Sequence, residues 1–387
     1  MKFKKNELNY ASSYLNGLED GFVTKLEEKF CQLFGVKYSI ACNSGTSALH
    51  AACFAADIQP GDEVIIPALT VIMDAYAVIH CGGTPVFADI NPKTMTIDPE
   101  DIKRKITPKT KAIIPVSLQG LSVDIDAIMA IAKQHNLLVI EDTCQTVMGK
   151  YKGNISGTTA DLHCWSFENK KHITCGSEGG LISTNNEELA IKARKFAGIG
   201  YKHMTAIAGR TSLAMDTVQD PTYERFDTIG LNYRMNEISA AVGLGQLERL
   251  DDIINLRKSC GKIFLEAIED CDFLIPQHIP DEYESSYYTF AIQYIGDKKY
   301  GVSWKDFYYR YKELGGDGFY GACQVPYLEP ALANKTIGTQ HYKKGLCPIA
   351  EKTQRQIMQF KTNYRDLKVA QQKANILRNL ILEIKTT

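Results

Sequence analysis

An α/β fold, with a large domain on a mainly parallel seven-stranded sheet and a smaller α+β domain after it, is predicted by three features. Seven short apolar runs lie between about residues 37 and 185, helical patterns separate several of them, and near residue 236 the apolar spacing turns helical. The runs are Tyr38–Cys42, Glu63–Pro67, Pro85–Asp89, Ala112–Val116, Leu137–Glu141, Leu162–Phe167 and Gly180–Thr184. They are rich in Val, Ile and Phe and mostly apolar throughout, as strands covered on both faces are. Between them, Ile125-x-x-Ile128-Met129-x-Ile131-Ala132 shows the spacing of one buried helix face. Strand–helix alternation of this kind predicts a parallel sheet. Chemistry in such sheets collects at the carboxyl ends of the strands.

Farther on, Ile238, Ala241, Leu244, Leu247 and Leu250 recur every three residues, which predicts one long helix from about 236 to Cys260. Two strand-like stretches follow, Tyr287–Tyr294 and Ala322–Pro326, and then a long polar–apolar helix over Lys352–Leu382. A chain of 387 residues exceeds the roughly 250–300 that one core serves. The expected division is 1–255 for the large domain and 256–387 for the small one.

Composition narrows the function classes. The net charge is −1, so no basic field is available for nucleic acid or an anionic membrane. The N-terminus is basic but no apolar segment follows it, which argues against a secretory signal. No apolar run approaches the ~20 residues of a membrane-spanning helix. The eleven cysteines form no C-x-x-C pair, and reduced thiols in the cytoplasm are expected. The histidines show neither H-x-x-x-H nor H-x-H spacing, so no metal site is expected.

Three segments could carry chemistry. In the first, small residues Asn43-Ser44-Gly45-Thr46 follow a strand and open an apolar helix. The free backbone amides around Ser44, Gly45 and Thr46 suit a phosphate, although an ordinary helix cap would read the same. In the second, the strand Leu137–Glu141 delivers Glu141, Asp142 and Gln145 at its end. A carboxylate there can hold a heteroaromatic nitrogen protonated, or can simply meet solvent. In the third, Ser166-Phe167 leads into Lys170-Lys171-His172 and a glycine-rich turn. A confined lysine there is a nucleophile, whereas a solvated basic loop is the ordinary alternative. Each segment alone is weak. Together they supply what pyridoxal phosphate needs: a phosphate cradle, an acid for the ring nitrogen and a lysine.

With these segments in place the chain resembles the DegT-type sugar aminotransferases, a branch of the fold-type I pyridoxal-phosphate enzymes. The matching elements are Asn43-Ser44-Gly45-Thr46, Pro60-Gly61-Asp62-Glu63-Val64-Ile65, Thr107–Pro115, Glu141-Asp142-x-x-Gln145, Ser166-Phe167 with Lys171, Glu178-Gly179-Gly180 and Gly230–Met235, in the family's order. The resemblance implies that Lys171 carries the cofactor and moves the proton, and that Asp142 meets the ring nitrogen. It implies that Gln145 sits near the 3-oxygen, that Gly45, Thr46 and Ser166 hold the phosphate, and that Asn232 reaches a partner subunit's phosphate. A homodimer with shared sites is therefore expected, acting in the cytoplasm on a sugar, with L-glutamate as amino donor.

This sequence departs from the family pattern in places. One extra residue lies between Lys171 and Gly180. Counting forward from Ser166-Phe167 puts Lys171 at the cofactor position, and counting back from Gly179-Gly180 puts His172 there. The forward count keeps Ile173-Thr174 in register and places the insertion in a glycine-rich turn, where it is easier to fit. Lys170 is the second lysine candidate. After Thr70 the family has an aromatic residue that covers the ring. Here Val71 stands in its place, leaving Met73, Asp74 or plain apolar packing for that face. Ser117 stands where histidine is common. Gly315–Ala322, Tyr327-Leu328-Glu329-Pro330 and Glu168-Asn169-x-Lys171-His172 look like the subgroup that makes 8-amino-3,8-dideoxy-octulosonate, an amino sugar of lipopolysaccharide. The rival readings are a sugar 3-dehydratase with His172 active, and a cofactor-binding regulator without turnover.

Overall fold

A computed structural model of the protein describes residues 3–208 and 213–386. The seven apolar runs form one sheet: β1 Tyr38–Cys42, β2 Glu63–Pro67, β3 Thr84–Ala88, β4 Thr110–Ile113, β5 Leu138–Asp142, β6 Leu162–Ser166 and β7 Gly180–Thr184, in the order β1-β7-β6-β5-β4-β2-β3. Strands β2 to β6 are mutually parallel and β7 runs antiparallel to both β6 and β1. A mainly parallel, seven-stranded sheet is thus what forms. Four of its strands (β2, β3, β6 and β7) are buried at every position, because helices cover both faces.

The Gly45–Ala55 helix packs across the sheet after β1. Ser44 caps it, its Oγ accepting the Ser47 amide at 3.1 Å. The helix start sits so close to β7 that a Cβ on Gly180 would lie 2.2 Å from the Ser44 carbonyl oxygen. Only glycine allows that approach, which explains one of the two glycines after Glu178.

The C-terminal part departs from the sequence reading in three places. The long helix near 236–260 is two helices, Glu237–Leu247 and Leu250–Ala267. The break falls at Arg249, whose guanidinium bonds the fully buried carboxylate of Glu7 at 2.7 Å. Ala322–Pro326 is not a strand. Pro326, which lacks an amide proton, opens a 3-10 turn, and the strand-like pairing falls earlier, where Tyr320 and Gln359 exchange backbone hydrogen bonds. The expected helix over Lys352–Leu382 is instead a helix at Pro348–Gln354, a strand at Ile357–Lys361 and a helix at Leu367–Thr386. Ile357, Met358 and Phe360 bury against Thr289–Tyr294, with which the strand pairs antiparallel. Leu274–Pro276 completes this three-stranded sheet. A second core gathers on it, including Phe264, Phe290, Phe307, Phe319, Phe360 and Leu377. Among the described residues no helix is long and apolar enough to cross a membrane.

Candidate active site

Two strand ends, one turn and one helix start build the site. Strand β5 ends at Asp142, which is 2% exposed. Its backbone N–H donates to Pro115 and its carbonyl accepts from Ser117, while its Oδ1 accepts the Cys144 amide at 2.8 Å. The carboxyl is therefore held in one orientation. The neighbouring strand β6 ends at Ser166, and the chain turns through Glu168 to Lys171.

Lys171 lies among acidic and polarisable groups. Burial opposes its charge. Tyr288, Cys144, Asp142 and Glu168 together outweigh that and hold its pKa above the usual lysine value. Its Nζ sits 5.1 Å from the centre of the Tyr288 ring. Its carbonyl accepts from Arg257, which also donates to the Tyr288 carbonyl and to Thr362 Oγ1. Lys170 is exposed and lies over Tyr320. His172 is buried, with Nε2 3.2 Å from the Ser286 carbonyl oxygen, and burial followed by the nearby Arg257 pushes its pKa well below the usual histidine value. Between Lys171 and Gly180, residues Gly176–Glu178 form an exposed turn in which Gly176 has φ 100°.

At the opposite end, Gly45 and Thr46 begin a helix, so their amides lack intrahelical acceptors. A Cβ on Gly45 would meet Ser166 Cβ at 2.7 Å and Cys144 Sγ at 3.2 Å, which places the helix start directly against β6. Ser44, Gly45, Ser166, Asp142 and Lys171 are thus brought together. Thr46 is exposed beside them. Gln145 is half-buried, and its Oε1 accepts the Gln119 amide at 3.2 Å. With Thr70 and Val71 these two glutamines line a small cavity of about 40 Å³. Asn232 stands apart from this cluster: it is exposed and its Oδ1 accepts from Arg234 at 3.1 Å.

The positions where this chain departs from the family also find places. Met73 is 36% exposed, and Asp74 is fully buried against Asp142 rather than laid over the cavity. Ser117 donates to Glu141 Oε1 at 2.7 Å, and the Gly157 amide donates to Oε2. Tyr288 went unseen in the sequence. It precedes a strand more than a hundred residues beyond Lys171, and only packing joins them.

Glu141 allows a pH prediction. Burial raises its carboxyl to about 7, the two hydrogen bonds opposing and Asp142 adding to the rise. The folded protein therefore holds a proton that the unfolded chain releases near its ordinary value. The associated stability is fully present below that value and is lost as pH rises through about 7. In Glu141→Gln, denaturant unfolding across pH 4.5–7.5 should lose this slope, on the order of 3 kcal/mol at most. An unchanged slope would count against a buried acid here.

A buried carboxylate at a strand end, a lysine beside it, and free helix amides with a hydroxyl opposite fit pyridoxal phosphate. The buried Oε1 of Gln119, which has no partner among the described residues, leaves polar capacity for such a ligand. Fold and site together are those of a fold-type I pyridoxal-phosphate enzyme. The chain belongs to the DegT/DnrJ/EryC1/StrS aminotransferase family, which it matches over residues 4–374. It is 44% identical to the GDP-perosamine synthase of Caulobacter vibrioides over 238 residues, 61% of this chain and 59% of that one, so the match spans less than two thirds of that relative. A solved aminotransferase from Psychrobacter cryohalolentis superposes with TM-score 0.88 at 29% identity, covering 99% of this chain and 98% of that one. The E. coli GDP-4-keto-6-deoxy-D-mannose-3-dehydratase with bound hydrated pyridoxal phosphate shares the fold, with TM-score 0.86 at 23% identity over 98% and 97% of the two chains.

Proposed function

We propose that this chain transfers an amino group from L-glutamate to a keto or aldehyde carbon of a sugar destined for cell-surface polysaccharide. The observation that carries this reading is the placement of Lys171 between Asp142, Cys144 and the Tyr288 ring, with His172 turned to Ser286. When bound, the cofactor supplies an electron sink for the bond-breaking step. Asp142 would keep the ring nitrogen protonated, and Gln145 would sit near the 3-oxygen. The backbone amides around Ser44, Gly45 and Thr46, with the Ser166 hydroxyl, would hold the phosphate. Lys171 would hold the cofactor through its Nζ, and as the general base and acid of the site it would take a proton from the substrate carbon and give one back. The amine enters from glutamate, which leaves as 2-oxoglutarate, and is passed on to the sugar.

The reading extends to a homodimer in the cytoplasm, with residues 1–255 supplying most of each site and Asn232 reaching the partner's phosphate. Within this class 8-amino-3,8-dideoxy-octulosonate is the proposed product, supported by the Gly315–Ala322 and Tyr327–Pro330 segments. Purified protein with pyridoxal phosphate should be yellow, bleach with L-glutamate, and recover its colour with the correct keto or aldehyde sugar. The acceptor panel should include the 8-aldehyde of 3-deoxy-octulosonate and nucleotide-linked 4-keto and 3-keto sugars. Sugar turnover with net loss of water and no incorporated amine would establish a dehydratase instead. A protein that binds cofactor yet never bleaches would point to a regulator.

A further inference from the structure

Asp74 has no role in the mechanism above. It lies in the first turn of the Met73–His80 helix, has no exposed surface, and its Oδ1 has no hydrogen-bond partner among the described residues. Its Oδ2 accepts from Thr70 Oγ1 at 2.5 Å. The Asp142 carboxyl lies within hydrogen-bonding reach. The other titratable groups that face Asp74 are Lys171 from the turn after β6, Cys164 within β6, and Cys53 from the Gly45–Ala55 helix. Two buried carboxyls therefore face one cation.

Two carboxylates in one dry site cannot both ionise, and one retains a proton. The surroundings choose which. Asp142 already accepts a backbone amide, so its Oδ1 is arranged for an anion. Asp74 receives a single hydroxyl and leaves Oδ1 unused, the position from which a carboxylic acid would donate. Burial first and Asp142 second push its acid well above the usual carboxylate range, with Thr70 and Lys171 opposing.

We propose that Asp74 and Asp142 form a proton-sharing acid pair, in which Asp74 stays neutral and donates its O–H to the Asp142 carboxylate. Asp74 is then a positioning residue. The pair carries one negative charge and its direction is fixed before the cofactor arrives. Its catalytic consequence rests on the reading that Asp142 meets the ring nitrogen; the shared proton itself does not.

Infrared spectroscopy of the cofactor-free protein, well above the pH at which Glu141 titrates, reads the proton directly. The wild type should show a protonated-carboxyl C=O stretch that Asp74→Asn removes and Glu141→Gln leaves in place. Absence of the band, or its survival in Asp74→Asn, overturns the pair. In pyridoxal phosphate titrations Asp74→Asn, which keeps a donor toward Asp142, should bind within about fivefold of wild type. Asp74→Leu should bind at least about tenfold more weakly. If Asp74→Asn is instead as damaging as Asp142→Asn, Asp74 is the ionised partner of the ring nitrogen and the proposed division is wrong. The infrared result needs no cofactor, so failure of the acid pair and failure of the Asp142 reading remain distinguishable.

Discussion

Lys171→Ala should abolish turnover while leaving a folded protein. The Nζ of Lys171 lies over Tyr288 and near Asp142, so its removal mainly deletes a charge from a cluster that Arg257 and the strand ends hold independently. On the proposed reading, what disappears is the covalent link to the cofactor and the group that moves the proton. A reduction of about 10,000-fold in the rate of glutamate-dependent bleaching is expected, the upper end of what a general acid–base contributes. Borohydride should fix the cofactor to the peptide bearing Lys171 in the wild type and to no peptide in the variant. Label recovered on Lys170 in either protein would move the assignment, although the exposed position of Lys170 argues against it.

Asp142→Asn is expected to be next in severity. Asparagine can still accept the Cys144 amide, so the strand end should keep its shape. It cannot supply the negative charge. Loss of a preorganised electrostatic partner of this kind costs about 100- to 1,000-fold in kcat. The variant should retain cofactor poorly, with a circular dichroism spectrum like that of the wild type. Activity within about tenfold of wild type would mean that the charge acts elsewhere.

Much of this arrangement was legible in the chain. The seven sheet strands are mostly apolar because helices cover both faces of the sheet, and that pattern reads directly. Asp142 could be named because a strand end fixes its position. Lys171 needed one choice about an insertion, which the forward count assigns to the glycine-rich turn, and residues Gly176–Glu178 of that turn are exposed. The Ile357–Lys361 strand was lost because its short alternation, set between two helical segments, also fits a helix. Tyr288 and the Asp74–Asp142 contact were hidden for a different reason. Each joins segments far apart in sequence, and no local spacing records such a meeting. Asn232 is exposed in the single chain, so its assignment still rests on the resemblance.

Arg257 joins three distant stretches of chain: its side chain, from the Leu250–Ala267 helix, holds the carbonyls of Lys171 and Tyr288 and the hydroxyl of Thr362. Tyr288 and Thr362 flank paired strands of the second sheet, and Lys171 hangs from the first. Opening the second sheet would release the lysine turn with it, which makes the two a single cooperative unit of local unfolding. The turn bearing Lys171 would then share its resistance to hydrogen exchange and proteolysis with the second sheet.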